Sequence, residues 1–228
     1  MIKGSDRYVI FLVGLLFAAG LAYLGFPRGV AAFKALDGVR IANAVAQGKP
    51  QEPEYLRRLA VSRAQSLVWG SNPAYANELA VAYRLLSLEV PPETRKSLWE
   101  AAYTASETEL RAQPLNAYAW WRLGVMRSAL DGATTARSAS FQWHSVRVQP
   151  HAMNLVPLRL RAISDNWFQF DAGQRRDVRP QFAIAWRQDP KAVIRIAANP
   201  RRQAVIRAGL AIDPRLLGAF ESALSKSP

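Results

Sequence analysis

Residues 8–27 carry no charge and read YVIFLVGLLFAAGLAYLGFP, apolar on every helical face. A core helix of a soluble domain keeps a polar stripe, whereas about 20 apolar residues at ~1.5 Å each cover the ~30 Å hydrocarbon core of a bilayer. The run therefore predicts a transmembrane helix, with Tyr8 and Tyr23 near its ends, where amphipathic rings favour the headgroup level. Past residue 40 the pattern changes. Alternating β-branched runs are missing, and apolar positions recur at spacings of three and four, which predicts an all-α fold. Helices are expected over 54–68, 72–88 and 92–112. Asn72-Pro73 supplies a cap followed by a proline at the first helical position, and Val90-Pro91-Pro92 supplies a break.

The most patterned stretch follows. Gln113-Pro114-Leu115-Asn116 opens a helix reading AYAWWRLGVMRSAL, Asp131-Gly132 ends it, and TTARSASFQWHSVRV forms its return partner. Gln149-Pro150 then opens the next element, an interval that suits one helix–turn–helix unit. Trp120, Leu123 and Gly124 resemble the opening of a tetratricopeptide repeat, with Ala136 at the later small position where the helices meet. Arg127 and Ser140 stand where that repeat has aromatics, so the stretch reads as a single divergent unit. In this pattern Trp120 faces the core and Trp121 a groove or a neighbouring unit. Farther on, a helix carries Leu155, Leu158, Leu160 and Ile163, and Asp171-Ala172-Gly173 breaks it. Shorter helices are expected over 181–186, 190–198, 202–212 and 215–224, three of them marked by Asp189-Pro190, Asn199-Pro200 and Asp213-Pro214.

Together these readings divide the chain into a tail and signal anchor (1–27), a linker (28–52) and one tetratricopeptide-like helical-hairpin domain (53–228). An uncleaved anchor fits better than a removed leader, because the apolar run exceeds the usual 7–15 residues of a leader's apolar region. Lys3 and Arg7 before the run nearly balance Arg28, Lys34 and Arg40 after it. The orientation therefore rests on the short amino-terminal tail, which leaves the tail cytoplasmic and the domain periplasmic on an inner membrane.

Charge sharpens the picture. The chain has 228 residues with 30 Lys+Arg against 17 Asp+Glu, a formal charge of +13, and 17 of the basic residues against 6 acidic ones fall in 111–215. Arginine dominates, and its planar fork suits bidentate pairing with carboxylate or phosphate. Arg175, Arg176 and Arg179, with Arg201 and Arg202, form the densest clusters and, with Trp121, are the expected partner-binding residues. Such a face suits an acidic polysaccharide or anionic lipid headgroups; the other reading is that the arginines simply solvate the helix faces. Nucleic acid is the poorer fit, since no nucleic-acid-binding motif accompanies the charge.

Chemistry adds no catalytic, cofactor-binding or metal-ligating assignment. With no cysteine there is no thiolate nucleophile and no disulfide, and no Gly-rich phosphate loop occurs. His144 and His151 lack metal-ligand spacing, and Glu107 and Glu109, two apart on a helix, point away from one another. The anchor, the Ala/Arg-rich helical remainder and the stretch over 114–123 (PLNAYAWWRL) resemble small proteins of bacterial exopolysaccharide operons, the VpsP-like group. That resemblance implies a membrane-anchored scaffold or accessory protein in exopolysaccharide or envelope biosynthesis, working through protein–protein interaction. The alternative from another class is a glycan-processing envelope enzyme whose acidic residues converge only in three dimensions.

Overall fold

A computed structural model describes residues 4–226; Lys3 of the basic flank lies outside them. The described residues are helical throughout apart from turns and caps, with no strand among them. The chain forms two compact units, Met1–Glu89 and Val90–Pro228. The boundary between them, Glu89/Val90, falls inside the stretch 53–228 read as one domain and just before Pro91-Pro92. Two successive prolines remove two amide donors and force extended backbone before them, and Pro91 has ψ 153°.

In the first unit α1 (Gly4–Ala46) runs without interruption through Pro27, which corrects the expected linker: residues 28–46 are helix. The reason is a stripe of small residues. Ala31, Ala35, Gly38 and Ala42 recur every three or four positions and are buried. They let α1 lie close against α2 (Pro53–Trp69), which packs in turn on α3 (Pro73–Glu89). A Cβ on Gly38 would sit 2.9 Å from both the Leu59 Cδ1 and the Arg63 Nη1. Arg63 ties the three helices together. It is 2% exposed, donates from Nη1 to the Ala35 carbonyl at 2.6 Å, pairs through Nε with Glu78 of α3, and lies 5.1 Å over the Tyr75 ring. Ser62 Oγ adds a bond to the Lys34 carbonyl. The amino-terminal part of α1 differs: its side chains over 11–26 are exposed, and α1 is the one described helix long and apolar enough to cross a membrane.

The second unit contains α4 (Pro92–Ala112), α5 (Ala117–Asp131), α6 (Ala136–Val148), α7 (Val156–Asn166), α8 (Ala172–Val178), α9 (Pro180–Gln188), α10 (Pro190–Ala197), α11 (Pro200–Leu210) and α12 (Pro214–Leu224). Their starts are written locally. Asn116, Asp189, Asn199 and Asp213 each accept from amides of the first helical turn, and Thr135 with Ser138 and Asp171 with Gln174 form capping boxes. Two expectations change here. Pro150 does not open a helix: a turn leads through the 3₁₀ segment Met153–Leu155 to α7. The expected break falls at Phe170-Asp171, but Asp171 also caps a helix the sequence did not announce, α8, whose seven residues are too few to show a period.

A single cluster around Ile163, Trp167, Phe170, Phe182, Trp186 and Phe220 forms the main core. Gly209 permits close packing of α11 on the Phe182 ring. Burying such aromatic side chains stabilises each site by about 1.5–3 kcal/mol.

Candidate interaction face

α5 and α6 form the hairpin expected from the sequence, but the more deeply buried of its two adjacent tryptophans is Trp121, not Trp120. Trp121 is 8% exposed and packs with Ala117, Leu155 and Ala162, so of the two surroundings expected for it, it takes the neighbouring helix and not an open groove. Residues 117 and 121 share one face of α5, and α7 covers it. Trp120 instead stands half-buried at the surface, its Nε1 donating to the Pro114 carbonyl at 2.8 Å. Ala136 is exposed. The close crossing is made by Gly124, where a Cβ would meet the Gln142 amide Cδ at 2.9 Å and the Ser138 carbonyl at 3.0 Å. Gln142 fills that space because its amide donates to the Trp121 carbonyl.

Two buried arginines hold the elements beneath the face. Arg122 meets Glu109 of α4 at 3.0 Å, the two side chains being 3% and 0% exposed. Asn116 Nδ2 donates to the other carboxylate oxygen at 2.6 Å. Burial pushes the Glu109 carboxyl up, against the downward pull of Arg122. Glu107 turns the other way, to the Tyr103 hydroxyl. Arg159, fully buried, donates to the Ser145 carbonyl and hydroxyl and, at 2.8 Å, to the Gln149 carbonyl. It thus closes the carboxy-terminal end of α6, where a cation is favoured. Burial lowers its pKa to about 10.

Over this frame runs a surface strip of rings and guanidinium groups. Arg137, Phe141, His144 and Arg147 recur along α6 at spacings of three and four, one stripe of the helix. Trp120 fits between the two rings, 6.0 Å from Phe141 and stacked at 4.7 Å on His144. Tyr103 of α4 meets Phe141 edge-on at 6.3 Å, and Trp143 lies 4.8 Å from His144. Arg137 sits over Phe141 and bonds the Tyr103 hydroxyl, while Arg147 sits 4.8 Å over Trp143. Partial burial, and then the charge of Arg147, lower the pKa of His144, so the strip favours its neutral ring. Trp143 Nε1 donates to Asp177 at 2.9 Å, which joins the strip to α8, the helix that carries Arg175 and Arg176.

Two of the predicted arginines, Arg175 and Arg201, meet at the turn after α7. Arg175 donates to the Trp167 carbonyl at 3.3 Å, and Arg201 lies 5.4 Å over the neighbouring Phe168 ring, itself 61% exposed. Thus residues from 175 and 201, far apart in sequence, meet two consecutive residues of the turn Trp167–Gln169. Arg176 is exposed. Arg202 is engaged, held by both oxygens of Asp165 at 2.7 and 3.1 Å, and Arg179 is half-buried with its Nε enclosed and unpartnered. The accessible basic groups of the predicted set are therefore Arg176 and Arg201, with Arg175 partly exposed behind them. The aromatic strip was missed in the sequence, although the α6 spacing 137, 141, 144, 147 was its signal. Comparison with protein-family models, curated proteins and solved structures finds no match for this chain.

Proposed function

We propose that this chain is a membrane-anchored helical scaffold or accessory protein of bacterial envelope polysaccharide biosynthesis. It is held at the inner membrane by α1, with its helical units on the periplasmic side, and engages a protein of that machinery. The observation that carries this reading is the strip on α6 with its arginine-flanked continuation at Phe168. Rigid aromatic surface with arginine above it binds at low cost in side-chain entropy, and Trp, Tyr and Arg dominate the energetics of protein interfaces. The apolar helix and the sequence resemblance to the VpsP-like group support the setting.

The test uses the full chain in cells, with a photo-crosslinking phenylalanine analogue placed at Phe168 or at His144. Crosslinks to a membrane or periplasmic component of the polysaccharide machinery, lost on changing Arg176 and Arg201 together to Ser, are the expected result. An absence of crosslinks at both positions, with wild-type polysaccharide output from a deletion strain, overturns the proposal. A reporter fused after the carboxy terminus reads the orientation separately.

A further inference from the structure

The hairpin between α2 and α3 ends in large apolar side chains that stay largely open to the surroundings of the first unit. Val68 is 81% exposed and Trp69 44% exposed. An isolated exposed valine needs no explanation, but the position of this pair does. Trp69 meets Phe26 edge-on, with ring centroids 6.4 Å apart, and a Cβ added at Gly70 would lie 3.9 Å from the Ala31 Cβ. Leu24, Pro27, Arg28 and Ala31 of α1 line a cavity jointly with the 69–73 turn. The hairpin tip is therefore level with the place where the uncharged run of α1 ends and its first flanking arginine begins.

That level is fixed by packing along the rest of the unit. The small-residue stripe of α1 and the three-helix contacts of Arg63 hold α2 and α3 against the same continuous helix that carries the apolar run. If residues 8–27 span the hydrocarbon, Phe26 lies at its edge and Trp69 beside it lies in the interfacial layer. Indole is the side chain best suited to that layer, with an apolar body and one donor, and Arg28 next to it can reach lipid phosphate from the same depth.

We infer that the α2–α3 tip is a second membrane contact: Val68 and Trp69 insert into the interfacial layer of the leaflet from which α1 emerges. This inference rests on the membrane-anchored reading. The tip acts as a foot that sets how the first unit stands on the bilayer, a constraint a lone spanning helix would not impose.

The chain has no cysteine, so single cysteines can be labelled in the full protein without other changes. Leu16→Cys in the apolar run, Val68→Cys at the tip and Leu88→Cys at the far end of α3 are all exposed sites. Each is spin-labelled and reconstituted in phosphatidylcholine/phosphatidylglycerol vesicles, and collision with oxygen is compared with collision with a water-soluble nickel chelate. The expected order of the oxygen-to-nickel ratio is 16 highest, 68 several-fold above 88, and 88 as in water. A ratio at 68 equal to that at 88, with 16 still in lipid, overturns the foot and leaves the anchor standing. A ratio at 16 equal to that at 88 overturns the anchor itself and the foot with it. A second readout guards against label effects: Trp69→Phe should lower the quenching of protein fluorescence by lipids brominated near the headgroup, and unchanged quenching counts against the contact.

Discussion

The two units solve the same packing problem with different side chains. Among the described residues, the buried hydrophobic set of the first unit is alanine, leucine and one isoleucine, with no aromatic ring, whereas the second buries Trp121, Trp167, Phe170, Phe182, Trp186 and Phe220. Long helices such as α1, α2 and α3 can repeat a small residue every turn and approach closely over their length. Helices of 7 to 11 residues, as in α8 to α12, share too little length for that, and large rings fill the spaces between them. Each unit also buries arginine, but the surroundings differ. Arg63 meets Glu78, a side chain 30% exposed, while Arg122 meets a carboxylate with no exposure and Arg159 is bonded to carbonyl and hydroxyl oxygens.

That contrast can be broken most severely at Arg122. Arg122→Ala leaves Glu109 as an unpaired buried carboxylate and should cost about 3–5 kcal/mol, read as a lower denaturant midpoint by tryptophan fluorescence, which reports mainly the second unit. Arg63→Ala should cost less, about 1–3 kcal/mol, because Glu78 can turn to water and chiefly the Ala35 carbonyl loses its partner. Amide exchange over α2 and α3 measures it, and protection lost equally over α4 to α12 would contradict the division into units. Gly38→Ala tests close approach and should cost about 1–3 kcal/mol by forcing Leu59 or Arg63 aside, again confined to the first unit. Arg207→Ala removes a pair with Glu221 whose side chains are 45% and 41% exposed and should leave the denaturant midpoint nearly unchanged, because solvent screens such a pair.

The smallest effect is a pH dependence. The folded protein holds the His144 pKa below its ordinary value of 6.5, so His144 favours folding above that value, and the contribution is lost as pH falls through the lower folded value. His144→Phe should flatten this part of the stability profile. An NMR titration of His144 with a midpoint at or above 6.5 would refute the assignment.

How much of this was legible depends on the range of the signal. Cap-and-proline pairs are local, and every helix they announced begins where they stand. The continuation of α1 was harder to see, because residues 28–46 mix charge with small residues. Their stripe at 31, 35, 38 and 42 acquires meaning only with α2 against it. Trp120 and Trp121 lie 100° apart on a helix, so hydrophobicity alone cannot choose between them; α7, arriving from some 35 residues downstream, covers one and leaves the other out.

The arginine clusters show the same limit. Their density was plain in the sequence, yet Arg202 is bound by Asp165, Arg179 is partly enclosed, and Arg201 is held over Phe168 by the way α11 meets the end of α7. Composition and local spacing determined an all-α chain with an apolar helix long enough to cross a bilayer, the places where helices start, and an excess of positive charge after residue 110. Tertiary structure decided which aromatic is buried, which arginines remain free to meet a partner, and where the rings of α4, α5 and α6 join into one strip. Those outcomes depend on contacts between helices distant in the chain, and no periodicity within one helix records what will pack against it.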